Sequence, residues 1–146
     1  MASWSSIASP VLGYGEDSIV SDGTHLYAIG SSGEKYNPSS DSWSSISSPT
    51  DNRFRGSCVF DGTDIYAMAG QDSPDTVERY DISSDSWTFV SSANTGRRWG
   101  CSGTDGSSIY LAGGYSSSGL SSAEKYDISS DSWQDIQSMN EVRIRS

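Results

Sequence analysis

Apolar residues in this chain fall in short clusters separated by serine, aspartate and glycine. Residues 25–29, 64–68 and 108–112 read HLYAI, DIYAM and SIYLA, apolar at successive positions after the first. A strand of that kind is covered on both faces. Each follows an Asp-Gly pair, Asp22-Gly23, Asp61-Gly62 or Asp105-Gly106. The pair predicts a tight hairpin turn, because glycine takes positive φ at little cost. Two antiparallel strands therefore open each unit. A third strand holds Glu34-Lys35-Tyr36, Glu78-Arg79-Tyr80 or Glu124-Lys125-Tyr126, and a fourth begins at Trp43, Trp87 or Trp133. The Ser- and Asp-rich residues between them favour side-chain bonds to nearby backbone, which makes a turn. No stretch carries a helical period.

The units are copies. Residues 80–87 and 126–133 both read YDISSDSW, and residues 36–43 read YNPSSDSW. From Trp4 to Asp22, Trp43 to Asp61 and Trp87 to Asp105 the distance is always 18 residues, and each repeat tyrosine precedes its tryptophan by 7. One interval changes, from 9 (Tyr27 to Tyr36) to 14 (Tyr66 to Tyr80) to 16 (Tyr110 to Tyr126), so a single loop absorbs the variation. Four short antiparallel strands in 39 to 46 residues describe one blade of a β-propeller.

The repeat resembles the kelch motif, in which a glycine doublet after the second strand is followed by a tyrosine and, about seven residues on, a tryptophan. The doublet is Gly113-Gly114 in the third unit, Ala69-Gly70 in the second and Gly30-Ser31 in the first. The resemblance spans essentially the whole chain and implies an all-β, kelch-type propeller with three four-stranded antiparallel blades per chain. Blade 1 is expected over 14–47, blade 2 over 48–91 and blade 3 over 92–137. Residues 1–13 then form the outermost strand of an incomplete blade, and 138–146 the start of a further one. Trp4, Trp43, Trp87, Trp133, Tyr36, Tyr80, Tyr126, Gly30, Gly70, Gly113 and Gly114 are expected to be structural repeat positions.

Composition fits such a chain: 146 residues, 34% hydrophobic, with a mean hydropathy of -0.51. Short strands need no large central core. The net charge of -10 opposes non-specific binding to nucleic acid and to anionic membranes. The first residues have neither a basic start nor an apolar run, and no stretch has the length of a membrane span, so a soluble protein, cytoplasmic by default, is expected. Two cysteines, Cys58 and Cys101, form no metal-binding spacing and are expected to be buried free thiols. No cofactor and no metal are expected.

Three blades leave two end faces. Propellers close with four to eight blades, and an apolar face on the order of 400 Å² left in water sacrifices about 10 kcal/mol. A head-to-tail homodimer, closing a six-bladed ring, is therefore the expected assembly. The segments near Trp4 and Trp133 are equivalent and compete for one position in such a ring. The near-identity of the copies fits recent duplication, and equally an engineered or excerpted propeller fragment without ligand function.

All nine basic residues occupy two equivalent places. Lys35, Arg79 and Lys125 precede the repeat tyrosine; Arg53, Arg55, Arg97, Arg98, Arg143 and Arg145 lie 10 to 12 residues after a tryptophan. In a kelch-like blade the second place is the link between blades, on the rim that carries the variable loops. The tentative ligand-binding set is Arg53, Arg55, Arg97, Arg98, Trp99 and Tyr14. Arginine's planar fork suits carboxylates, and the resemblance implies acidic peptides or another anionic ligand such as an anionic glycan. The alternative is that these arginines bond backbone carbonyls and acidic residues of the blades. Asp22, Asp61 and Asp105, with Asp41, Asp85 and Asp131, read as turn residues before calcium ligands, and His25 as a strand residue before a base. No catalytic constellation is present, which favours a non-enzymatic interaction module; kelch-like sugar oxidases and sialic-acid isomerases make a carbohydrate-active enzyme the competing class.

Overall fold

The computed structural model of the chain describes residues 6–10 and 18–144. Trp4, Tyr14 and Arg145 lie outside the described residues.

Twelve strands form three four-stranded antiparallel sheets, each taking its strands in chain order. The first sheet contains β1 (Ser18–Ser21), β2 (Leu26–Ile29), β3 (Gly33–Asn37) and β4 (Ser42–Ile46). The second contains β5 (Ser57–Phe60), β6 (Ile65–Met68), β7 (Val77–Asp81) and β8 (Ser86–Val90). The third contains β9 (Cys101–Thr104), β10 (Ser108–Ala112), β11 (Ala123–Asp127) and β12 (Ser132–Ile136). No helix among the described residues is long and apolar enough to cross a membrane.

Local chemistry explains each element. Gly23, Gly62 and Gly106 take φ of 88°, 109° and 90° in the first hairpin turn. The aspartate before each accepts from backbone N–H groups two and three residues on: Thr24 and His25 to Asp22, Thr63 and Asp64 to Asp61, Ser107 and Ser108 to Asp105. The second strands are buried on both faces in the middle sheet, as their unbroken apolar character requires. Pairing of the third and fourth strands sets Tyr36 opposite Trp43, Tyr80 opposite Trp87 and Tyr126 opposite Trp133, with ring centroids 5.0–5.2 Å apart.

The sheets pack face to face through two small cores. Tyr27 and Ile29 of the first sheet meet Ile65, Ala67 and Tyr80 of the second. On the second sheet's other face Val59, Tyr66, Met68 and Val77 meet Ile109, Leu111 and Tyr126 of the third. The inner strands β1, β5 and β9 lie side by side and border an open cleft of about 190 Å³ that includes Ser18, Ile19, Ser57, Cys58, Cys101 and Ser102. Neither cysteine is in a disulfide, and Cys58 is only half-buried and Cys101 is exposed. Their expected burial fails because both border this cleft: Cys58 packs against the first core only from its edge, and Cys101 lies on β9, whose residues are mostly exposed.

A hydrogen-bonded latch joins each sheet to the segment before it. Asp85 Oδ1 accepts from Ser47 N–H and Tyr80 O–H, while Trp87 Nε1 donates to Ser47 O. Asp131, Tyr126 and Trp133 hold Ser91 in the same way. Asp41, Tyr36 and Trp43 hold Ala8 likewise. All three aspartates sit at positive φ, 48°, 51° and 49°, in the left-handed region that aspartate tolerates better than most residues. The repeated octapeptide is thus a turn and an inter-blade clasp at once.

Candidate binding site

The five rim candidates among the described residues, Arg53, Arg55, Arg97, Arg98 and Trp99, separate into two structural classes. Arg53 and Arg97, ten residues after Trp43 and Trp87, are 1% and 0% exposed. Arg53 donates to Glu78 at 2.6 Å, to Thr76 O at 2.8 Å and to Ala69 O at 3.3 Å. Arg97 donates to Glu124, to Gly113 O at 2.7 Å and to Ser122 O at 3.1 Å. The same glutamates accept two backbone N–H groups of the link, Thr50 and Asp51 for Glu78, and Asn94 and Thr95 for Glu124. A buried carboxylate needs this much compensation. These two arginines therefore close the link onto the blade that follows, as the backbone and acidic-residue alternative has it, and they present no open guanidinium at the rim.

The remaining candidates stack. Arg55 Cζ lies 4.7 Å from the Phe54 ring centroid and 4.6 Å from that of Trp99. Arg98 Cζ lies 4.9 Å from Trp99 and 5.0 Å from Tyr115. Five side chains, Phe54, Arg55, Trp99, Arg98 and Tyr115, alternate aromatic and cation across the second and third blades. The backbone is shaped for it. Arg55 and Trp99 are equivalent positions and both take positive φ, 66° and 55°. Trp99 N–H donates to Arg55 O at 2.8 Å, and Arg98 and Tyr115 exchange two backbone bonds of 3.0 and 2.8 Å. Arg55 also donates to the Gln71 side chain. Links and variable loops thus share one rim, because Gln71 and Tyr115 belong to those loops.

Arg98 is half-buried, and no carboxylate pairs with it among the described residues. Its guanidinium has aromatic faces on both sides, so its N–H edge is what remains to bond an anion. Phe54 and Tyr115 were not anticipated from sequence. Phe54 adjoins Arg55, but Tyr115 comes from a loop whose length differs in every unit, so register could not place it.

The other candidates have structural work. Arg79 Nε approaches Asp64 Oδ2 at 3.6 Å, and Arg143 pairs with Glu141 at 3.0 Å on the surface. His25 Nδ1 lies 3.5 Å from Asp22 Oδ2 within its own turn. The backbone bonds already described engage Asp22, Asp61 and Asp105 as turn residues.

The doublets show why glycine recurs. Gly113 and Gly114 take φ of 65° and 90°, and an added Cβ would meet Arg143 O at 2.5 Å and Arg98 O at 2.6 Å respectively. In the second unit Ala69 adopts 63° and Gly70 135°, so Ala69 holds a glycine's conformation. The first unit keeps the equivalent bond, Gly30 N–H to Ser32 O, across a shorter loop, and neither Gly30 nor Ser31 takes positive φ.

A search of curated proteins finds no match for the chain. The Kelch motif matches residues 52–94 and again 100–140, the second and third of the three blades. Those matches cover more than half of the chain, their blades are the two that build the rim stack, and the chain belongs to the kelch-repeat family.

Proposed function

We propose that the chain is a non-enzymatic protein-interaction propeller whose rim binds an acidic peptide through Arg98, Arg55 and Trp99. One observation carries the reading: the Arg98 guanidinium is sandwiched between Trp99 and Tyr115 with no carboxylate partner among the described residues. Stacking fixes the plane of the fork and leaves its N–H edge for a bidentate carboxylate. Trp99, flanked by both arginines, supplies apolar surface beside that charge. The kelch family membership supports an interaction role for the whole. The binding form we propose is a ring of two copies meeting head to tail.

The test is fluorescence polarisation with labelled Glu- and Asp-rich peptides, alongside sialylated glycans. Binding that Arg98→Ala weakens at least tenfold, with the unfolding midpoint unchanged, is the expected result. Failure of every acidic peptide to bind at millimolar concentration overturns the acidic-peptide reading. Turnover of a sugar substrate that Arg98→Ala abolishes overturns the non-enzymatic one.

A further inference from the structure

The links that follow the second and third blades share one backbone signature. After the second blade, Ala93 N–H donates to Asp75 O, Arg97 N–H to Pro74 O, and Gly70 N–H to Arg97 O. After the third blade the same three bonds recur 46 residues on, or 44 for the glycine: Met139 N–H to Ser121 O, Arg143 N–H to Leu120 O, and Gly114 N–H to Arg143 O. Arg143 is therefore held in the place from which Arg97 reaches Glu124 and Arg53 reaches Glu78. Unlike them it lies on the surface, 67% exposed by side chain, paired only with the exposed Glu141 among the described ion pairs.

A matching glutamate stands at the other end of the chain. Glu34 occupies in the first sheet the place of Glu78 and Glu124, and its side chain is fully buried. The residue ten after Trp4, where the other two blades have arginine, is Tyr14 in the sequence. Exposed apolar side chains also gather at these two ends. Ile19 lies in the first sheet and Ile7 beside it, and Val142 and Ile144 lie beside the third; of the large exposed apolar side chains described, Phe89 alone is on the middle sheet.

We propose that Arg143 of one copy takes the arginine place beside Glu34 of a second copy, so that the buried Arg-Glu link inside the chain is repeated between chains. The proposal rests on the head-to-tail assembly above and names the contact that makes it specific. Charge and register match: a pre-set arginine on one face, a buried glutamate behind the other. Ala8 and Gln137 both follow a repeat tryptophan by four residues. Gln137 of the second copy therefore displaces Ala8 from Asp41 and Trp43 as the ring closes. The exchanged segment is an alternative strap for the same blade.

Light scattering coupled to size exclusion over a dilution series reads the test. The full chain is expected at twice 15.6 kDa, and Arg143→Ala is expected to raise the dimer dissociation constant by roughly thirtyfold or more. Because Arg143 is a surface residue of the single chain, the variant monomer retains the wild-type circular dichroism. Lys125→Ala, an arginine-independent control on the third blade, leaves the dimer intact. A double-mutant cycle with Glu34→Gln is expected to be strongly non-additive. A wild-type dimer that Arg143→Ala leaves unweakened, or an additive cycle, overturns the Arg143–Glu34 contact while the ring stands. A wild-type monomer at every concentration overturns both.

Discussion

Two arginines one residue apart, Arg97 and Arg98, meet opposite fates. Arg97 points inward to Glu124 and is wholly buried, whereas Arg98 lies between Trp99 and Tyr115 on the rim. Removing a member of a buried, hydrogen-bonded ion pair strands the other charge, so Arg97→Ala is expected to cost about 3–5 kcal/mol in urea unfolding. Arg98→Ala is expected to stay within about 0.5 kcal/mol of wild type. Equal losses at both sites would contradict the division of labour. Ala69 offers the converse change. Its φ of 63° is costly for an L side chain by roughly 1–2 kcal/mol, partly offset by glycine's larger unfolded-state entropy. Ala69→Gly is expected to stabilise the chain by about 0.5–1 kcal/mol, and a loss of stability would show that its methyl packs usefully. This inside-outside division was not legible in the sequence, where both arginines belong to one cluster after the tryptophan. A signal did exist: Glu34, Glu78 and Glu124 recur beside a core tyrosine, and an acid at a buried strand position demands a cation at fixed register.

At the scale of the element, the octapeptide acts as a clasp whose strength depends on protonation. The backbone N–H of Ala8 and the Tyr36 hydroxyl hold the Asp41 carboxyl below the usual carboxylate range. Ser47 with Tyr80 does the same for Asp85, and Ser91 with Tyr126 for Asp131. A carboxylate lowered in the folded state contributes stability that is complete above its unfolded value near pH 4 and is lost as pH falls through the folded value. The tyrosines run the other way. A hydrogen bond to Asp41 raises the Tyr36 hydroxyl, and burial raises those of Tyr80 and Tyr126 above the free value of 10.0. Their contribution is complete below about pH 10 and is lost as pH rises through the folded values. The thermal midpoint is therefore expected to be level between about pH 5 and 9 and to fall on both sides. Replacing Asp41, Asp85 and Asp131 together by Asn should make the acid limb shallower, the remainder coming from Asp81, Asp105 and Asp127, whose carboxyls hydroxyl and backbone donors also hold low; an unchanged limb in that variant would assign it to those other carboxyls. The turns and strands of each blade were readable because Asp-Gly and two-sided apolar runs are local chemistry. The clasp was not, since half of it lies 33 to 42 residues away in the preceding segment.

For the molecule as a whole, the middle sheet differs from its neighbours. It is covered on both faces, by Tyr27 and Ile29 on one side and by Ile109 and Leu111 on the other. Each outer sheet shares one core with the middle sheet. Stability in such a stack is a sum over nearest neighbours, so opening starts from the ends. Amide exchange in the single chain is expected to be slowest in β6 and β7 and faster in β2 and β10. If the ring of two copies forms, the three sheets should approach equal protection, and a middle sheet that remained distinct would mean the end faces stay in water. The three-bladed arc itself was legible from the period. What the period could not supply is which charged residues turn inward, because register fixes position along the chain and not depth.

The clasp has a consequence for how such a chain could lengthen. Each blade carries its own aspartate, tyrosine and tryptophan, and these grip the main chain of the segment before them, the N–H and C=O of Ala8, Ser47 or Ser91, to which the Ser47 and Ser91 hydroxyls add a further bond and Ala8 none. No particular side chain is asked of the neighbour. A duplicated gene segment therefore brings a lock that any preceding copy can accept on arrival, with no matching mutation elsewhere. Substitutions at the gripped residue are free to accumulate afterwards, and alanine already stands there once and serine twice.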